Sequence, residues 1–120
     1  MAARLLLLFA ALFGAAGVAG AAYAAHGAEA RLAATAAAIA LVHAPALLAL
    51  ALAGPGRIRA AALPGLFWIG GVLLFSGDLA ARLFLETRLF PNAAPAGGVL
   101  LMLGWLSLAP LAVLPAGKGR

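Results

Sequence analysis

Residues 32–53 read LAATAAAIALVHAPALLALALA, 22 positions without a charged side chain and with only Thr35 and His43 as polar ones. A helix rises about 1.5 Å per residue, so a stretch of this length crosses a hydrocarbon core of about 30 Å. Every backbone polar group is then bonded inside the helix, which lipid demands. Working outward, three more stretches meet the same length: about residues 5–25, 63–85 and 94–114. The breaks between them carry turn chemistry: His26-Gly27 before Glu29 and Arg31, Gly54-Pro55-Gly56 before Arg57 and Arg59, and Pro91-Asn92 after Glu86 and Arg88. Pro64 and Pro95 fall in first turns, where the missing N–H costs nothing. The expected fold is an all-α integral membrane protein, residues 1–120 forming one domain.

Composition agrees. Of 120 residues 67% are hydrophobic and 9% charged, and a mean hydropathy of +1.15 lies far from soluble chains. A net charge of +5 comes without a basic patch interleaved with aromatics, so nucleic acid is not an expected partner. The absence of cysteine excludes disulfides, thiolate metal sites and thiol catalysis. Seven arginines to one lysine, with abundant Ala, Leu and Gly, fit a bacterium with GC-rich codons. The expected location is its inner membrane.

The charge sets a direction. Four spans place the N-terminus, the second loop and the C-terminus on one side, with Arg4, Arg57, Arg59, Lys118 and Arg120 and no acid. The other side holds Arg31 and Arg88 beside Glu29 and Glu86. By the positive-inside rule both termini are expected in the cytoplasm, with Tyr23 and Trp68 in interfacial belts. Arg4, the apolar run Leu5 to Phe13 and Ala22-Tyr23-Ala24 also fit a cleavable signal peptide. The full span length and the packing glycines of the first stretch favour a retained helix.

Helices in lipid associate through close approach of small residues. The first span offers Ala10, Gly14, Gly17 and Gly20, with the pairs Ala10/Gly14, Ala16/Gly20 and Gly20/Ala24, the third Gly70-Gly71, and the fourth Gly97-Gly98 with Gly104. Short loops favour antiparallel neighbours, so an up-down-up-down four-helix bundle is expected.

The candidate intramembrane polar site consists of His43, Asp78, Arg82, His26 and Thr35. His43 sits mid-span and is expected to be neutral and hydrogen-bonded inward, with Pro45 freeing the Leu41 carbonyl nearby. Asp78 and Arg82 are spaced i to i+4 on the third span and can pair. Ser76 is expected to bond back to the Val72 carbonyl. These groups occupy the middle and outer half, leaving the inner half with Ser107 alone, which is half of a conduit. A bis-histidine haem does not fit, because His26 and His43 differ in depth by roughly 16 Å. No nucleophile has a base at sensible spacing and no phosphate loop is present. No enzyme activity, cofactor or metal is therefore expected.

With the spans placed, the chain resembles a small bacterial inner-membrane family, domain of unknown function 423, related to eukaryotic transmembrane protein 256. The matching pieces are Gly20-Ala21-Ala22-Tyr23-Ala24-Ala25-His26, Leu41-Val42-His43-Ala44 with Leu47-Leu48-Ala49-Leu50, Leu74-Phe75-Ser76-Gly77-Asp78-Leu79, and Pro95-Ala96-Gly97-Gly98 through Gly104-Trp105. The chain departs from the usual pattern at Tyr23, Ala24, Asp78 and Ala80, which makes the Asp78–Arg82 pair a subgroup feature. The resemblance implies fold and location, not activity. The expected role is an accessory or interaction subunit, its partners being the bilayer and another membrane protein or a second copy. Two alternatives stand beside it: a binding or transport protein for a small or lipidic ligand, with an outer-half pocket lined by His43, Asp78 and Arg82, and a proton-handling subunit completed by a partner.

Overall fold

The computed structural model describes residues 1–53 and 55–113, and of residues 55–61 the backbone alone. Gly54, Leu114, Lys118 and Arg120 lie outside the described residues, as do the side chains of Arg57 and Arg59. The chain forms α1 (Ala2–His26), α2 (Ala30–Leu52), α3 (Pro55–Leu85), α4 (Ala93–Leu106) and a short α5 (Ala109–Val113). Four helical segments among the described residues are long and apolar enough to cross a membrane: Ala2–His26, Ala30–Leu52, Ala62–Leu85 and Ala93–Val113. They match the stretches read from the sequence to within three residues.

The fourth segment is broken, which its hydropathy did not foretell. Pro110 has no N–H for the carbonyl one turn back, so α4 stops at Leu106. The chain tightens through Leu108 N–H to Trp105 O (3.1 Å) before α5 begins. Pro45, by contrast, sits inside an unbroken α2.

Helix contacts follow the glycines in antiparallel register. On α1 the stripe is Gly14, Gly17 and Gly20, facing Ala44, Leu41 and Ala37 of α2. The expected pair Ala16/Gly20 does not form a seam, because Ala16 is exposed. Between α3 and α4, Gly71 faces Leu101 and Gly97, and Gly104 faces Trp68. Leu6 of α1 fills the notch at Gly65 of α3. Leu47 of α2, Trp68 and Val72 of α3 and Leu101 of α4 close the core with Leu6 and Phe13.

The outside of the bundle is as apolar as the inside. Leu7, Leu8, Leu12, Val18, Leu66, Leu73, Met102 and Leu106 are all exposed, and only 17–44% of an apolar 18-residue stretch in each spanning segment is buried. Water would not tolerate so large a contiguous apolar surface, whereas lipid tails are its natural solvent.

Candidate functional site

The polar residues of the interior form two separate clusters. In the first, His43 is 3% exposed and its ring is held at both nitrogens. Nδ1 lies 2.7 Å from the Ile39 carbonyl one turn back, and Nε2 is 3.0 Å from Trp105 Nε1 on α4. A carbonyl only accepts and an indole N–H only donates, so the partners fix the neutral imidazole carrying its proton on Nδ1. The freed Leu41 carbonyl is not the one His43 uses. Trp68 of α3 completes the cluster, its ring centroid 4.5 Å from Trp105 and 5.9 Å from His43.

Trp68 corrects the sequence reading. It is 1% exposed in the bundle interior, not placed in an interfacial belt. Gly104 makes the space: a Cβ there would lie 2.6 Å from the indole Nε1 and Cδ1. The half of the bundle expected to hold only Ser107 therefore holds two indole N–H groups. Trp105 takes the single lone pair of His43, and Trp68 Nε1 has no partner among the described residues. Sequence alone gives Trp68 an interfacial position and Trp105 a place in the family pattern, but helical spacing does not reveal an indole reaching a histidine on another helix.

Replacing Trp105 with phenylalanine should cost about 1 kcal/mol, because it leaves Nε2 of a buried imidazole unpaired. Unfolding of the purified protein in mixed micelles measures it. His43→Leu combined with Trp105→Phe should cost less than the sum of the two single changes.

The second cluster lies at the other end of α3. Asp78 is 0% exposed. Its Oδ1 accepts from Leu89 N–H (2.9 Å), and its Oδ2 is 2.9 Å from Arg82 Nη2, an ion pair without hydrogen-bond alignment. The carboxylate thus ties the α3–α4 connection to the end of α3, a role that i to i+4 spacing alone does not show. Glu86 and Asn92 of that connection adopt left-handed backbone, at φ 55° and 66°.

The remaining candidates stand apart. Thr35 is exposed on α2, its hydroxyl donating to Arg31 O (2.8 Å), and His26 is exposed at the end of α1. Ser76 does not bond back to Val72: its hydroxyl donates across to Ala36 O of α2 (2.9 Å), a helix-to-helix link. Ten residues of α3 separate Trp68, beside His43, from Asp78, about 15 Å along the axis. His43, Asp78 and Arg82 consequently do not line one pocket.

Comparison with known proteins agrees with this architecture. A membrane protein of Haemophilus influenzae, named UPF0382 membrane protein, is 39% identical over 69 residues, covering 58% of this chain. The match spans 56% of that relative's own length, little more than half. No solved structure matches the chain. The family model described as "Protein of unknown function (DUF423)" matches residues 20–98, a stretch that includes His43, Asp78 and Gly97 and ends before Trp105. The chain is therefore a member of the DUF423 family of membrane proteins.

Proposed function

We propose that the chain is a non-enzymatic accessory subunit of a larger assembly in the bacterial inner membrane, an up-down-up-down bundle with both termini cytoplasmic. The observation that carries this reading is the commitment of both His43 nitrogens to structural hydrogen bonds, Nδ1 to the Ile39 carbonyl within α2 and Nε2 to Trp105 across to α4. An imidazole committed in this way has no free lone pair for a ligand, and a proton taken up on Nε2 would displace Trp105. The interior groups serve the fold, which leaves the lipid-facing surface to act. α1 and the α4–α5 segment offer most of it, with only 22% and 17% of their apolar 18-residue stretches buried.

Affinity capture from native membranes after crosslinking tests the reading. A defined membrane protein should co-purify in fixed ratio. A lone monomer in mild detergent with no crosslinked partner would remove it.

The orientation rests on five Lys or Arg residues at the terminal side against two at the other. The chain lacks cysteine, so single cysteines report directly. Ala28→Cys should react with an impermeant thiol reagent from outside the cell, and Ala3→Cys should not. The reverse pattern inverts the topology.

A further inference from the structure

The connection between α3 and α4 leaves an open cleft of about 830 Å³, lined by Arg82, Glu86, Thr87 and Arg88 and by the apolar Leu89 and Phe90. Asp78 is sealed beneath it, so the cleft presents two guanidinium groups against one carboxylate. Arg82 is held at Nη2 by Asp78, its side chain is 31% exposed, and its Nε is buried without a partner among the described residues. A guanidinium carries five N–H donors, and Asp78 engages one nitrogen of three.

Around these charges the surface is apolar. Phe84, Leu85, Leu89 and Phe90 are exposed where the third span ends. The end of a span lies at headgroup depth, where apolar side chains reach the acyl boundary and arginine extends toward phosphate. The arginine fork matches phosphate oxygens in a way a point charge does not. Glu86 narrows the choice, since a purely anionic headgroup offers it nothing, whereas a primary ammonium satisfies it.

We propose that this cleft binds the phosphoethanolamine headgroup of a bilayer phospholipid, its phosphate between Arg82 and Arg88 and its ammonium at Glu86. The site needs only that the bundle be embedded in a membrane, whichever face the cleft is on. It does not depend on the accessory role.

Native mass spectrometry of the full chain in mild detergent tests this with three phospholipids of identical acyl chains. Phosphatidylethanolamine should be retained about tenfold more tightly than phosphatidylcholine, whose trimethylated ammonium has no N–H for Glu86. Arg88→Gln should weaken phosphatidylethanolamine and phosphatidylglycerol alike by about tenfold. Glu86→Gln should erase the preference over phosphatidylcholine while leaving phosphatidylglycerol at least as well retained. Both changes lie on an exposed connection, and unchanged circular dichroism confirms that the bundle persists. Equal retention of the three lipids, or undiminished phosphatidylethanolamine retention by Arg88→Gln, overturns the proposal. Displacement of the lipid by inorganic phosphate or soluble phosphoethanolamine also overturns it, because the ligand would then be a free phosphate.

Discussion

Gly97→Ala should destabilise the bundle by about 3 kcal/mol, whereas the same change at the adjacent Gly98 should be close to neutral. A Cβ at position 97 would lie 2.6 Å from the backbone nitrogen of Phe75 and 2.8 Å from the Gly71 carbonyl. These are main-chain atoms of α3, and they cannot swing aside as a side-chain tip does. The helices have to part, and the dispersion contacts along the α3–α4 seam weaken together. At Gly98 the nearest atom is a ring carbon of Phe75 at 3.9 Å, an ordinary contact. Titration with a denaturing detergent, followed by tryptophan fluorescence, compares the two variants. Equal stabilities would mean that α3 and α4 do not meet at Gly71 and Gly97.

Arg82→Gln is expected to cost about 2 kcal/mol. Removing one partner of a buried pair typically costs about 3–5 kcal/mol, and the value is reduced here because Arg82 is 31% exposed and partly screened. Asp78 would keep its place at 0% exposure with only Leu89 N–H to offset its charge. Asp78→Asn removes that charge and retains an oxygen for Leu89 N–H, so adding it to Arg82→Gln should restore part of the loss. A double-mutant cycle by the same titration reads the coupling. Strictly additive costs would show that the ion pair contributes nothing.

These two expectations differ in how far the sequence anticipates them. The Asp78–Arg82 pair follows from spacing, because i and i+4 share a helix face. That Asp78 also holds Leu89 N–H does not follow, since it depends on the path of a connection eleven residues further on. The glycines were visible as small residues, but their partners were not. Gly14, Gly17 and Gly20, all visible in the sequence, form the α1 seam at a spacing of three, and of the pairs spaced by four Ala16/Gly20 does not take part. Ser76 was assigned to its own helix because a local carbonyl is always within reach, and only the approach of α2 offers it Ala36 instead. The contact of Trp68 and Trp105 with His43 is the feature least legible in the sequence. An indole is mostly hydrocarbon, and its one N–H becomes a polar feature only when an acceptor on another helix comes within 3 Å or so, as His43 does for Trp105.

By itself the sequence determined that this chain has four stretches fit to span a membrane, and the bounds of each to within three residues. The reason is that the bilayer acts on each stretch alone: its thickness sets the length, and its lack of water forces the helix. It also determined that few charges would enter the interior, and named them. Only the tertiary structure decided what those residues meet. Side chains on different helices are brought together by register and close approach, set by a Cβ absent at Gly71, Gly97 or Gly104. The same contacts separated His43 from Asp78 and gave each a partner, so that the alternative of one shared pocket gives way to two structural clusters and an open, arginine-lined cleft.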